Sequence, residues 1–147
     1  MIRAANEDDV DELMDLIESM HIESAYSLIR FEASTIKESL APIINGGHVL
    51  VFEANTKIVG FIIGAVYRPW YTPNHTVAAE ELLYVVPNYR SAGVGKALLC
   101  AFIDFAIQSN ANEVKINSAT GVMSEAFGKM AMAIGFSQFG TEYRRLL

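Results

Sequence analysis

The sequence predicts an α/β fold in which helices cover both faces of one mixed sheet, and three observations carry that expectation. Helical spacing comes first: Val10, Leu13, Met14 and Ile17 recur on one face, as do Ile36, Leu40 and Ile43 or Ile44. Two apolar runs follow, residues 48–54 and 58–67, parted only by Asn55, Thr56 and Lys57, which reads as a hairpin. Strand-like and helical stretches then alternate to the end, giving the order β-α-α-β-β-β-α-β-α-β.

Residues 1–5 are a short apolar-rich start. Asn6 ahead of Glu7, Asp8 and Asp9 is helix N-cap chemistry with acids in the first turn, so a helix is predicted over 7–20, its wet face carrying Asp11, Glu12, Asp15 and Glu18. The second helix starts at Ser34, is kinked at Pro42 and is stopped by Asn45-Gly46-Gly47. Pro69, Trp70, Tyr71 and Pro73 make 68–75 a loop between strands, and the β-branched run 76–86 ends at Pro87. Residues 94–108 are apolar on most sides, which predicts a deeply buried helix with Cys100 packed inside it. Residues 113–117 alternate as a strand, 124–134 form a last helix, and after Gly135 the stretch 136–147 has strand character.

A chain of 147 residues, 52% hydrophobic and 19% charged, suits one domain over 1–147 with a sizeable core. Its 11 basic against 17 acidic residues, net −6, argue against nucleic-acid binding, which needs a clustered basic surface. The single cysteine allows no intrachain disulfide, and with no signal-like start the expected setting is reducing and cytoplasmic. The longest apolar runs, 58–66 and 97–103, fall short of the roughly 20 residues of a membrane span. His21, His48 and His75 are too scattered for zinc spacing or for a Cys/His nucleophile pair.

The most informative segment is Arg90-Ser91-Ala92-Gly93-Val94-Gly95, a tight loop between a strand and the apolar helix. The first N–H groups of a helix have no partner within it, and glycines let an anion such as pyrophosphate approach them. A Walker A loop would need Gly at position 90 and Ser or Thr at 97, and the dinucleotide fingerprint Gly at 98; Arg90, Ala97 and Leu98 stand there. A packing role for the glycines stays open at this level.

Arg90, Gly93 and Gly95, approached by Leu83-Tyr84-Val85 and Pro87-Asn88-Tyr89, continued by Ala97-Leu98-Leu99 and matched late in the chain by Ile134-Gly135-Phe136, resemble the GNAT N-acetyltransferase family. The resemblance extends to element order over nearly the whole chain and implies the GNAT acyltransferase fold. It implies acetyl-CoA as co-substrate, its pyrophosphate on the loop Arg90, Ser91, Ala92, Gly93, Val94, Gly95 and Lys96, and its pantetheine beside the strand before it. By the same resemblance the Val85 main chain would bond the pantetheine, and the Leu83 amide would take a catalytic place near the thioester carbonyl. Ser124 stands where relatives have a pantetheine-holding asparagine, and Ala92 where many have a basic or long polar residue. Side-chain help to the phosphates would then fall to Arg90 or Lys96.

Acetyl transfer to an amine needs a proton acceptor, oxyanion stabilisation and a proton for the thiolate. Strand alternation sets Glu81 on the face of Leu83 and Val85, which with the resemblance makes Glu81 the expected catalytic base; a strand bulge would shift the role to Glu80, and a purely solvent-side role for both is the alternative. Where relatives carry a tyrosine acid this chain has Ala131, leaving water, Tyr143, Tyr84 or Ser124. The resemblance sets the acceptor against residues 21–31 and 67–75, where Tyr26, Arg30, Phe31, Trp70 and Tyr71 are the expected binding residues and Glu23 with Glu81 could hold a cation. The expected activity is transfer of acetyl to a primary amine of a small molecule or protein, with no nucleic-acid or membrane partner and a homodimer left open. The alternative is a coenzyme A-binding or interaction module without efficient turnover.

Overall fold

The computed structural model describes all of residues 1–147. Strands β1 (Ile2–Ala4), β2 (Val49–Ala54), β3 (Lys57–Tyr67), β4 (Val77–Val85) and β5 (Glu113–Lys115) form one sheet in sequential order. The ladders are antiparallel except for β4 with β5, which is parallel, so the sheet is mixed as the sequence predicts. Helices α1 (Val10–Glu23) and α2 (Ala33–Asn45) cover one face; α3 (Val94–Gln108) and, more loosely, α4 (Ser124–Ala133) cover the other. Leu13, Ile17, Leu40, Ile44, Phe61 and Tyr84 form the core on the first side, and Ile62, Val85, Leu98, Leu99 and Phe102 the core on the second. No helix is long and apolar enough to cross a membrane.

The N-cap reading of Asn6 holds: its side chain accepts from the Asp8 N–H at 2.9 Å, and Asp9 returns a bond from the Asn6 N–H at 2.8 Å. A 3-10 turn at Glu7–Asp9 precedes the α-helix, which runs three residues past the predicted end at residue 20. Glu12 is not merely wet-face charge, because it accepts the Ile58 N–H at 2.9 Å. Asp9 is buried and takes both Arg3 guanidinium NH groups at 2.7 and 2.8 Å, joining β1 to this turn. The Arg3 bonds hold its carboxyl below the usual carboxylate range. A carboxyl depressed in the folded state contributes stability above its unfolded pKa, about 3.9, and loses that contribution as pH falls through the folded value. Asp9→Asn should cost about 1.5–3 kcal/mol in urea unfolding at pH 7, with the difference from the parent shrinking towards pH 3.

Three expectations need correction. The stretch 136–147 forms no strand. Its apolar residues Phe136, Phe139, Tyr143 and Leu146 lack the alternation that gives a strand one face to bury, Gly140 interrupts them, and β5 offers only three residues to pair with. Phe139 and Tyr143 are exposed, and the tail is held instead by Lys115 over the Phe139 ring and by Arg144 on Tyr26 and the Ala25 carbonyl. β5 itself is shorter than the predicted 113–117. Helix α3 is buried on one side only, so Cys100 is exposed and has no packing role in the core.

Candidate functional site

β4 carries an irregularity on which the rest of the site depends. Ile63 lies opposite Leu82 and Gly64 opposite Glu80, leaving Glu81 as an extra residue with no partner on β3. The insertion reverses the phase of the side chains. Leu83 and Val85 face α3, and beyond the bulge Ala78 does too. Gly64, which shares its pair and face with Glu80, lies so close to α3 that a Cβ there would come within 2.4 Å of the Phe102 ring. The strict alternation that paired Glu81 with Leu83 is therefore broken, and the bulge alternative is the one formed. Glu81 is exposed, whereas Glu80 is only 4% exposed. Glu80 accepts the Asn117 N–H at 3.0 Å, and the Asn117 side-chain amide donates to the Glu80 carbonyl at 3.2 Å. Burial pushes the Glu80 carboxyl up to about 7, against the lowering effect of that N–H and with help from the charge on Glu81.

The same point is where β4 loses its neighbour. β5 pairs with β4 only from Val77 to Ala79, and the Asn117 clasp closes the contact. From Leu82 onwards β4 is bonded to β3 alone. The Val86 N–H bonds the Val59 carbonyl on β3, so by alternation the main-chain groups of Val85 and Leu83 point to the open side. The chain then turns through a 3-10 segment, Pro87–Ala92, and Gly93 adopts φ +78°, the left-handed region that favours glycine, before α3 begins. No side chain caps α3. A Cβ on Gly93 would meet nothing within 4 Å, and one on Gly95 would touch Met130 of α4 at 3.6 Å. Ser91, Ala92 and Lys96 are exposed around this helix start, Val94 anchors it in the core, and Ser124 opens α4 at the surface. An uncapped helix start bearing glycines, beside an unpaired strand edge, can take an anion and an extended amide-containing chain.

Arg90 is not directed to that helix start. Its Nε donates to the Val85 carbonyl at 2.8 Å and its terminal NH2 to Glu23 at 2.7 Å, while the guanidinium lies 5.4 Å from the centre of the Tyr84 ring. Tyr84 donates its hydroxyl to the other Glu23 oxygen at 2.6 Å. Burial and this bond push the Tyr84 hydroxyl up to about 12, and its proton is directed to Glu23. Ser124 and Tyr143, the other side chains considered as the acid, are both exposed, and Ala131 is buried. Glu23 is already engaged by Tyr84 and Arg90.

The residues expected around the acceptor are only partly assembled. Tyr26 is exposed and packs on Arg144; Arg30 is exposed and paired with Glu32 at 3.0 Å; Phe31 is half-buried beside the His21 ring and the α1/α2 core. Trp70 and Tyr71 are exposed and meet edge to face, 5.7 Å between centres, in the β3–β4 loop. The Ala25 N–H bonds the Thr120 carbonyl, and Asn117 accepts from Ala119, so the segment after α1 reaches the Glu80 neighbourhood through residues 117–120. Asn117 escaped the sequence reading; its only signal is a polar side chain at the close of an apolar alternating run. No group of three or more His, Cys, Asp or Glu side chains is arranged to hold a metal ion.

The model of the acetyltransferase (GNAT) family matches residues 11–126. No curated protein matches the chain in sequence. Among solved structures, a predicted acetyltransferase from Clostridium acetobutylicum, solved with acetyl-CoA, is similar at TM-score 0.78 and 14% identity, covering 100% of this chain and 95% of that one. A ribosomal-protein-alanine N-acetyltransferase from Brucella melitensis is similar at TM-score 0.76 and 17% identity, covering 100% and 99%. An aminoglycoside 6'-N-acetyltransferase from Acinetobacter haemolyticus is similar at TM-score 0.75 and 15% identity, covering 100% and 97%. Such likenesses show the shared fold, and with the family match over most of its length the chain belongs to the GNAT acetyltransferase family.

Proposed function

We propose that residues 1–147 act as one N-acetyltransferase domain that moves acetyl from acetyl-CoA to a primary amine of a small molecule or protein. The observation that carries the reading is the buried Glu80 at the β4 bulge, immediately before the strand's edge opens beside the uncapped start of α3. The loop amides from Ser91 to Lys96 would hold the pyrophosphate, with Lys96 the cation beside them, and the Val85 N–H would hold the pantetheine. The Leu83 N–H, on the open side, would stabilise the oxyanion. Glu80 then accepts a proton from the amine, directly or through water, as nitrogen bonds to the thioester carbon. Collapse of the tetrahedral species breaks the carbon–sulfur bond, and the thiolate takes its proton from water.

Absence of the tyrosine acid does not forbid turnover. A thiol's pKa, about 8.5 for cysteine, makes its thiolate a far better leaving group than an alkoxide. The relatives described above name both a protein and an aminoglycoside as acceptors, which supports an amine without choosing its carrier. Exposed Trp70, Tyr71 and Tyr26 are the candidate acceptor contacts. The single cysteine suits a reducing, cytoplasmic setting. The test is thiol release from acetyl-CoA over a panel of small amines, aminoglycosides and peptides with free N-termini or lysines. Release above buffer with at least one acceptor is expected; binding of coenzyme A with no release for any acceptor would favour a binding module instead.

A further inference from the structure

The Glu23, Tyr84 and Arg90 cluster lies at a junction of three elements that sequence alone keeps apart. Glu23 is the last residue of α1, Tyr84 sits near the end of β4, and Arg90 belongs to the turn that leads to α3. One Glu23 oxygen receives Tyr84 and the other receives Arg90, while the same guanidinium reaches back to the Val85 carbonyl on the open edge of β4. The cluster is only part-exposed, with side-chain exposure of 20% for Arg90 and 32% for Glu23. Immediately after Glu23 the chain is tied down again: the Ser24 hydroxyl bonds the His21 carbonyl and receives the Tyr26 N–H, and Ala25 bonds Thr120.

We infer that Glu23 is a positioning residue that fixes, through Arg90, both the cofactor loop and the start of the segment over the acceptor. Arg90 thereby acts on the loop from behind instead of binding phosphate with its side chain. Its bond to Val85 leaves the Val85 N–H as the group that residue presents to an extended ligand. Because the same carboxylate ends α1, a shift of the loop pulls on residues 24–31, and the two substrate regions are mechanically joined across a single ion pair. The inference rests on the acetyltransferase reading for its kinetic arm, though not for its structural arm.

Glu23→Gln keeps an acceptor for Tyr84 but removes the charge that holds Arg90. Its expected effect is a rise of about tenfold in the KM for acetyl-CoA, with kcat at saturation within about twofold of the parent. Arg90→Gln, which also loses the bond to Val85, should give at least as large a KM shift, and the double variant should be no worse than Arg90→Gln alone, since both changes remove the Glu23–Arg90 ion pair. Hydrogen exchange in the absence of any substrate supplies the independent arm: amides of residues 24–31 should exchange faster in Arg90→Gln than in the parent. A lower melting temperature with unchanged KM and unchanged exchange in 24–31 would overturn the inference, as would additive KM effects. Should the parent fail to bind coenzyme A, the acetyltransferase reading falls while the exchange result still decides the coupling.

Discussion

Glu80→Gln is expected to lower the acetyl-transfer rate at pH 7 by roughly 10² to 10⁴-fold, the usual contribution of a positioned general base, while coenzyme A binding stays near the parent value. The amide keeps the shape of the side chain and can still receive the Asn117 N–H, but it cannot accept a proton. With the Glu80 carboxyl pushed up to about 7 by burial, kcat/KM of the parent should rise with pH through that value, and this limb should disappear in the variant. Stability should move the other way. Between the unfolded carboxyl's pKa, about 4.3, and 7 the unfolded chain has lost its proton while the folded protein retains it. A raised carboxyl pKa therefore makes the parent less stable as pH rises across that window, with no further change above it. The Gln variant should lack this decline and melt higher than the parent at pH 8. If Glu81→Gln is the damaging change and Glu80→Gln is silent, the exposed bulge residue is the base and the buried one is structural.

Gly93→Asp should weaken coenzyme A binding by at least roughly 10²-fold in calorimetry. Space is not the obstacle, since a Cβ at this position meets nothing within 4 Å. Two effects act together. The φ of +78° disfavours a side chain by about 1–2 kcal/mol, a cost Asp bears better than most residues, so the variant should still fold. The carboxylate then sits at the start of α3, where it competes for the helix's free N–H groups and repels a phosphate. Gly93→Asn is the control: it has the same shape without the charge and should lose less affinity. A folded Asp variant with unchanged affinity would remove the pyrophosphate from this helix start.

The parts of the site that a sequence shows well are those written in local chemistry. The glycine loop and the extent of α3 follow from two glycines and an apolar helix, and the capped turn that leads into α1 follows from Asn6 and the acids after it. The bulge is harder to read. On its N-terminal side β4 continues as Val77, Ala78 and Ala79, all apolar, so a change of side-chain phase at Glu81 leaves no mark in the hydrophobic pattern. Arg90 was legible as part of a motif but not as a partner of Glu23, because the two lie 67 residues apart and nothing in either neighbourhood requires the other. The exposure of Cys100 was hidden for another reason. A helix with apolar residues all round reads as engulfed, yet α3 packs on a single sheet face and leaves Ile107 as well as Cys100 towards solvent.

The shortness of β5 also bears on what this protein must avoid. A strand rim that presents the Leu83 main chain and the Val85 N–H without a neighbouring strand is a template for any extended chain, including a strand from another molecule of the same protein. Two features at the mouth of that rim work against such self-association. The bulge breaks the regular spacing an incoming strand would need, and Glu81, the extra residue, carries an exposed charge where that strand would have to begin. The residue that the bulge turns to solvent is thus well sited to keep a second sheet off the open rim.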